Sequence, residues 1–346
     1  MDKKKIKILL QTLFLLFLIA GTYYAAITRD DTADKGNGTE EGSGRFRKTE
    51  DVVFGTVMHT TYQSKRDLHK EIMDAVYGVD ASLSMFNPKS TLARINSGKD
   101  MHTDSLLTRV FTLAQQISGA TDGAFDITVA PLVNAWGFGF KNGSLPDEAQ
   151  VDSLRELVNW KRISLKDGVF VKEDERMVMD MSAIAKGFGS DMVAEVLKKH
   201  GVKNFMVEIG GEIVTAGNNP NGKAWVIGIN RPVEDSTSQN NEIQKTMEVH
   251  EAAMATSGNY RNFYITKDGR KVAHTIDPKT GYPVQHSILS STVLAPSCAM
   301  ADGYATGFMV MGLEKAQKVL NAHPELKAYF IYADEKGNYR TWTNIE

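Results

Sequence analysis

Apolar residues recur with the period of an amphipathic helix in two parts of the chain. Residues 106–118 gather their apolar side chains on one helical face, which predicts a helix packed against the core. Residues 186–200 have a similar apolar side and are followed by Gly201, a residue type that commonly ends a helix in the left-handed conformation. We therefore predict a helix in each of these two segments.

Shorter runs of β-branched and aromatic residues predict strands. Residues 54–62 form one such run, and two pairs of runs flank Asp-Gly turns, namely 163–165 with 169–171 and 263–266 with 272–276. Each pair predicts a β-hairpin. Hairpins mixed with separate helices indicate an α+β fold with mixed or antiparallel sheets rather than a regular βαβ repeat.

The first part of the chain has a different pattern. Four lysines within residues 1–7 precede an uncharged run from residue 8 to residue 28, which is long enough to cross a hydrocarbon core of about 30 Å. Residues 1–28 are therefore predicted to be an N-terminal membrane anchor, and the basic flank predicts that the following chain lies outside the cytoplasm. A cleaved signal peptide is the alternative interpretation.

Residues 29–48 are rich in Gly, Asp, Glu, Thr and Ser, a composition that predicts a flexible polar linker. Residues 49–346 contain no second linker and are predicted to form one large domain. The chain has 40 Lys and Arg against 42 Asp and Glu, so its charge gives no reason to expect a nucleic-acid partner. Cys298 is the single cysteine, which excludes an intrachain disulfide and leaves oxygen or histidine as metal ligands.

Two segments carry residues suited to a phosphate and a metal. Residues 180–189 open a helix after a predicted strand at 177–179, so that helix-start amides and the Lys186 ammonium could bind a phosphate. A solvated strand-to-helix turn is the alternative. Asp302 and Thr306 are four residues apart and share a face in a helix, an oxygen pair that suits Mg²⁺ when phosphates complete the shell. The alternative is a helix-capping Asp with a Thr bonded to the backbone.

Two further segments suggest an acid–base group and a ring-binding slot. His274, in residues 273–283, could act as an acid or base near neutral pH, although a lone histidine often has no catalytic role. Residues 123–139 combine aromatic residues with glycines, which could form a slot for a flat ring or a tight core turn.

Seven blocks of the sequence together resemble the ApbE family, the FAD:protein FMN transferases formerly described as thiamine biosynthesis lipoproteins. The resemblance extends from about residue 54 to residue 320. The blocks, in chain order, are LSMFNPKSTLARIN (83–96), TDGAFDITVAPLVNAWGFG (121–139), DMSAIAKGFGSD (180–191), EIGGEI (208–213), ATSGNYRNF (255–263), HTIDPKTGYP (274–283) and ADGYATGFMVMG (301–312).

The resemblance implies a two-lobed α+β domain that binds FAD, its substrate, between the lobes. It also implies Mg²⁺-dependent transfer of FMN from FAD to a Thr or Ser hydroxyl of a flavin-carrier protein, with release of AMP. Family members act on extracytoplasmic or membrane-facing carriers, which agrees with an anchor in a bacterial inner membrane and a domain on the periplasmic side. Water in place of the carrier would make an FAD pyrophosphatase, and loss of chemistry would leave a non-catalytic FAD-binding protein.

The resemblance also implies a set of site residues. Asp180 and Lys186 would contact FAD, while the Ala183 carbonyl, Asp302 and Thr306 would bind the metal. Asp302 is in this way part of the predicted catalytic centre. The remaining predicted FAD contacts are Phe54, Phe86, Ala124, Phe125, Asp126, His274 and Ile276.

Two of these predicted contacts depart from the family's pattern, and one role is open. Phe54 stands where members commonly have Met, and Phe86 stands where many have Tyr, so a phenolic hydrogen bond is lost there. His274 is the candidate base for the acceptor hydroxyl. The alternative is that the cation activates the acceptor while His274 orients a phosphate.

The chain itself contains a possible acceptor motif. The family's carriers have Ser or Thr, Gly, Ala, then Ser or Thr, and residues 118–121 read Ser-Gly-Ala-Thr. The resemblance therefore raises self-flavinylation at Thr121 as a minor alternative.

Overall fold

The computed structural model describes residues 44–139, 145–232, 242–259, 263–265, 271–284, 288–334 and 336–345. The predicted anchor, residues 1–28, and the linker up to residue 43 lie outside these ranges. Within the described ranges, no helix is both long and apolar enough to cross a membrane. The end of the predicted linker is corrected, because Arg45–Val53 forms a strand that pairs along its whole length with the next one.

An antiparallel sheet of eight strands is the centre of the described fold. The strands in chain order are β1 (Arg45–Val53), β2 (Thr56–Ser64), β3 (Ile163–Lys166), β4 (Val169–Lys172), β5 (Phe205–Ile209), β6 (Glu212–Ala216), β7 (Trp225–Asn230), β8 (Ile243–Val249), β9 (Ala252–Gly258), β10 (Phe263–Ile265), β11 (Lys271–Ala273), β12 (Ile288–Ala295), β13 (Lys327–Ala333) and β14 (Tyr339–Thr343). The large sheet has the order β1-β2-β5-β6-β9-β12-β13-β14. The pairs β3–β4, β7–β8 and β10–β11 form separate hairpins.

The described helices include those that pack on one side of the large sheet. They are α1 (His69–Leu83), α2 (Thr91–Asn96), α3 (Ser105–Ala120), α4 (Ala130–Ala135), α5 (Glu148–Arg155), α6 (Ser182–Lys199), α7 (Cys298–Met311) and α8 (Leu313–Ala322). Helices α6 and α7 approach each other closely at Gly187, where a Cβ atom would lie 2.4 Å from the Cys298 carbonyl oxygen. A residue without a side chain is therefore required at this crossing.

The buried side chains fall into clusters on both faces of the large sheet. Ala255 of β9 belongs to the cluster under α3, α6 and α7, whereas its neighbour Met254 belongs to the cluster covered by β7 and β8. Successive strand residues point to opposite faces, so this alternation shows that the sheet is covered on both sides. A smaller cluster contains Leu132, Trp136, Val151, Val272 and Ile276, and it joins α4 and α5 to β11.

The fold confirms the prediction of an α+β domain with antiparallel sheets. The predicted helices correspond to α3 and α6, and Gly201 has the left-handed φ of 74° expected after the end of α6. Both hairpins are present, although the turn at residues 266–270 lies outside the described residues.

Two predicted strands are wrong in part or in full. Phe54 and Gly55 have positive φ angles of 51° and 74° and form a two-residue turn, so the strand predicted at 54–62 begins instead at Thr56. Residues 177–179 are not a strand. The Asn96 side chain accepts from Met179 N and donates to Met179 O, both at 2.8 Å, and so satisfies backbone groups that a strand would otherwise pair.

Candidate active site

One cavity of about 1420 Å³ contains every site residue predicted from the sequence. It lies where the start of α6, the middle of α7, the β5–β6 turn and the segment after β11 meet. The predicted residues that line it are Phe54, Phe86, Ala124, Phe125, Asp126, Asp180, Ala183, Lys186, His274, Ile276, Asp302 and Thr306. The fold therefore brings these residues together, while the role of each one stays a prediction.

Three charged side chains form the centre of this cavity. The Lys186 ammonium lies 2.7 Å from Glu212 Oε1, and Glu212 is only 2% exposed. Asp302 is buried as well, and its Oδ2 accepts a hydrogen bond from Gly187 N at 3.1 Å. We define Lys186, Glu212 and Asp302 as the charge centre. It contains two carboxylates and one ammonium, which is an excess of negative charge when all three groups are ionised.

Burial and mutual charge shift the pKa values of the charge centre. Burial raises the pKa of Glu212 and of Asp302, and the nearby Lys186 ammonium opposes both shifts. Burial alone would lower the pKa of Lys186, but the charges of Asp302 and Glu212 outweigh it and raise that pKa. Lys186 therefore stays protonated at neutral pH.

The residues expected to bind a metal lie on two adjoining helices. Gly187 N, near the start of α6, donates a hydrogen bond to Asp302 on α7. Thr306 lies one turn after Asp302 on α7, and its hydroxyl is 3.2 Å from Ser257 Oγ. The described residues contain no cluster of three or more His, Cys, Asp or Glu that could bind a metal. A cation here would depend on a mixed set of carboxylate, hydroxyl and backbone carbonyl oxygens.

The predicted FAD contacts Phe86, Phe125 and Asp126 differ in how far their side chains also make contacts within the fold. Phe86 is 58% exposed at the cavity, whereas Phe125 is 2% exposed and packs beneath α7. Asp126 accepts hydrogen bonds from Thr128 N and from Trp160 N, at 2.7 and 2.9 Å. Burial raises the pKa of Asp126, and these donors oppose the shift. The Asp126 carboxylate therefore fixes two loops at the cavity wall.

Asp180 and Phe54 border the start of α6. Asp180 accepts from Ser182 N at 2.8 Å, and burial raises the pKa of its carboxyl. The Phe54 ring lies so close to α6 that a Cβ atom at Gly189 would be 2.6 Å from it. Both side chains thus border the helix turn that carries Lys186.

His274 and Ile276 lie on a segment that is hydrogen-bonded to Trp136. Trp136 Nε1 donates to the Gly281 carbonyl at 2.8 Å, and Tyr264 donates its hydroxyl to the Trp136 carbonyl at 3.0 Å. The His274 ring is 6.3 Å from the Phe138 ring between centroids. This segment places His274 at the cavity wall, and Ile276 is 4% exposed beneath it.

The acceptor-like motif is not accessible in the folded chain. Thr121 is 1% exposed, its hydroxyl donates to the Ile117 carbonyl at 2.7 Å, and the same oxygen accepts from Phe125 N at 3.1 Å. The structure therefore argues against flavinylation of Thr121 in the native state.

Glu212 and Ser257 are polar cavity residues in contact with Lys186 and Thr306, and the sequence analysis did not identify either as a site residue. The signal for Glu212 was a Gly-Gly pair between two strand-like runs. Gly210 and Gly211 have φ angles of 63° and 104° and form the tight β5–β6 turn, which places Glu212 at the first position of β6. Ser257 had no comparable local signal, because its role follows from its contact with Thr306 on a distant helix.

Comparison with known proteins identifies this arrangement. The sequence model of the ApbE family matches residues 54–330. The chain belongs to the ApbE family. An FAD:protein FMN transferase of Vibrio cholerae is 37% identical over 286 residues, which cover 78% of this chain and 84% of that protein. One of Haemophilus influenzae is 36% identical over 302 residues, with 82% and 86% covered.

Solved structures of ApbE proteins show the same fold. The flavin transferase ApbE from Vibrio cholerae has a TM-score of 0.78 at 33% identity and covers 86% of this chain and 97% of its own. The apo form of the Pseudomonas stutzeri flavinyl transferase ApbE has a TM-score of 0.77 at 28% identity, with 88% and 96% covered. As a member of the ApbE family, the chain is an enzyme of the transferase class.

Proposed function

We propose that the chain is a Mg²⁺-dependent FAD:protein FMN transferase that moves FMN from FAD to a Ser or Thr hydroxyl of a carrier protein and releases AMP. The observation that carries this proposal is the charge centre beside Thr306, in a cavity of about 1420 Å³ with an exposed aromatic side chain at its wall. Breaking a pyrophosphate requires charge neutralisation and alignment of the reacting groups, and this centre supplies charge at a fixed place.

The donor set of the cavity fits a divalent cation. Asp302, Thr306 and the Ala183 carbonyl offer the hard oxygen ligands that Mg²⁺ prefers, with few protein ligands and room for phosphate oxygens. The two carboxylates of the charge centre outnumber its one ammonium, and the hydrogen bond from Gly187 N joins α6, which carries Ala183, to the Asp302 carboxylate. When bound there, Mg²⁺ would neutralise charge on the pyrophosphate.

The remaining residues bind FAD and orient the reacting groups. Lys186 adds a fixed positive charge for a phosphate oxygen, and Phe86 offers an exposed ring for stacking. His274 is our candidate for the base that takes the proton of the acceptor hydroxyl, because it lines the same cavity and histidine is the side chain that most often serves as a general base. If the cation alone activates the acceptor, His274 instead orients a phosphate.

We further propose that the carrier has the motif Ser or Thr, Gly, Ala, then Ser or Thr, and that the enzyme reaches it at a membrane. The sequence of residues 1–28 supports an anchor with the domain on the periplasmic side of a bacterial inner membrane. Separation of membranes from soluble proteins, with and without residues 1–28, tests this part. Recovery of the full chain in the soluble fraction would refute the anchor.

The central test uses the full chain with FAD, Mg²⁺ and a carrier domain that contains the motif. We expect a fluorescent carrier band on a denaturing gel together with one AMP for each FMN transferred. A carrier with Ala at the acceptor position and the enzyme variant Asp302→Ala are the controls, and both should abolish the band.

Two other outcomes of this test identify the alternative functions. Equal release of FMN and AMP without a carrier would show an FAD pyrophosphatase. Tight FAD binding without turnover, for every carrier and metal tested, would show a non-catalytic binding protein.

A further inference from the structure

Lys186 interacts with two buried carboxylates, with one through a direct ion pair and with the other through its charge. The direct ion pair is with Glu212, whose Oε1 lies 2.7 Å from the ammonium. Asp302 acts on Lys186 through its charge, while its Oδ2 is engaged by Gly187 N. About a third of the Lys186 side chain is exposed, at 33%, so its long stem has room to change direction.

The position of Glu212 is fixed by the backbone on both sides. The Gly210–Gly211 turn precedes it, and a Cβ atom at Gly210 would be 2.8 Å from the Thr56 side chain. The Glu212 carbonyl also accepts from Ser190 Oγ at 2.9 Å. Ser190 follows Lys186 by one turn of α6, so the Glu212 backbone is tied to the helix that carries the ammonium.

The Glu212 carboxylate makes its ion pair with Lys186. Its Oε2 is buried and has no hydrogen-bond partner among the described residues. If Glu212 could not reach Lys186, the ammonium would lack its ion-pair partner, and the other buried carboxylate at the centre is Asp302. Because an unpaired charge in a buried site is costly, Lys186 would turn toward Asp302.

We propose that Glu212 is a positioning residue that holds the Lys186 ammonium away from Asp302 and so keeps Asp302 available to a divalent cation. This inference rests on the metal assignment of the proposed function. It gives Glu212 a role distinct from that of a metal ligand and explains why a second buried carboxylate is present at the centre.

The test measures Mn²⁺ affinity of the full chain without FAD, by electron paramagnetic resonance or calorimetry. Glu212→Asp keeps the charge but withdraws the carboxylate by one carbon–carbon bond, about 1.5 Å. We expect its Mn²⁺ affinity to fall by about 10- to 100-fold, the range usual for residues that support a metal ligand. In the Lys186→Met background the same substitution should change the affinity less than about 2-fold, since no ammonium remains to occupy Asp302.

Equal fold-changes in the two backgrounds would overturn the proposal, because they would show that Glu212 acts on the cation without Lys186. An unchanged affinity in the single Glu212→Asp variant would overturn it as well. Glu195→Asp is the matched control, since Glu195 is an ion-paired glutamate on α6, the helix that carries Lys186, with Oε1 2.6 Å from Arg109. Its Mn²⁺ affinity should match that of the unmodified chain.

Circular dichroism and thermal unfolding check that each variant is folded. If Glu212→Asp does not fold, Glu212→Gln is compared in the same two backgrounds, with the same criterion. Asp302→Ala distinguishes a failure of the metal assignment from a failure of the proposed function. Retained Mn²⁺ binding in that variant would refute the metal assignment itself, whereas failure of the unmodified enzyme to transfer FMN would refute the function and leave the Mn²⁺ comparison valid.

Discussion

The crossing of α6 and α7 at Gly187 should not tolerate even a methyl group. A Cβ atom there would lie 2.4 Å from the Cys298 carbonyl oxygen and 2.9 Å from Ala299 Cα. Both neighbours are backbone atoms in a helix, so they cannot rotate away. Ordinary van der Waals contact begins at 3.4 Å, and the helices must therefore separate by about 1 Å for Gly187→Ala to fit.

The expected cost combines two opposing effects. Alanine favours a helix over glycine by about 1 kcal/mol, whereas overpacking of a buried contact costs about 1 to 3 kcal/mol. The difference is a net loss of up to about 2 kcal/mol in the free energy of unfolding, and we expect the upper half of that range because both close contacts are with backbone atoms. The separation also moves Asp302 away from Gly187 N, and a displacement of about 1 Å at reacting groups can lower kcat by about 100-fold.

Chemical denaturation and FMN transfer kinetics test this prediction on the same preparation. Gly78→Ala is the matched control, because Gly78 lies inside α1 and its nearest atom to a new Cβ is a leucine methyl at 3.9 Å. That variant should keep full activity and be as stable as the unmodified chain or more so. If Gly187→Ala were equally stable and active, the reasoning that this contact fixes the charge centre would be refuted.

Three further predictions concern residues around the cavity. Asp191, which accepts from Cys298 N at 2.9 Å, has its pKa raised by burial to about 6, so the folded state binds this proton more tightly than the unfolded state. Its contribution to stability should therefore fall as the pH rises from about 4 to 6, and the stability difference from Asp191→Asn, measured by denaturation, should shrink over that range and then level off. A constant difference would contradict this. Trp136→Phe removes the donor to the Gly281 carbonyl and should speed hydrogen exchange in residues 274–284, while unchanged exchange would contradict the proposed tether. Thr121→Val should lower the free energy of unfolding by about 1 to 2 kcal/mol. Mass spectrometry should find no flavin on the chain with or without this substitution, and a flavin adduct on the unmodified chain alone would contradict the structure.

The helices and hairpins were predictable because their signals are local. α3 begins with an Asp104 cap and α6 ends before a left-handed Gly201, and both signals can be identified within a few residues. α6 begins at Ser182, within the segment 180–189 that was predicted to open it, but the apolar periodicity is clear only from residue 186 onward. Its N-cap position is Met181, whose side chain makes no capping hydrogen bond, so the sequence had no capping residue there to mark the first turn.

Other features depend on partners far away in the sequence. Residues 177–179 have a strand-like pattern, but their backbone is satisfied by Asn96, which is 83 residues from Met179. The predicted site residues lie on several elements that are far apart in the chain, and only the tertiary fold brings them to one cavity. The pairing of Glu212 with Lys186 had no signal in either residue's neighbourhood, since nothing local shows that the β5–β6 turn lies against α6.

The order of the large sheet also has a consequence for how the enzyme is made. β2 pairs with β5, and beside this pairing Asn204 donates to Gln63 across 141 residues of chain. Contacts between residues this far apart in sequence form slowly, because the entropy of closing a long loop is lost before the contacts can stabilise the chain. The cavity wall also includes Thr306, so the complete cavity cannot form on a nascent polypeptide before residue 306 has been synthesised. Flavin fluorescence should accordingly change in the slowest refolding phase, and the site is a product of complete folding rather than a nucleus for it.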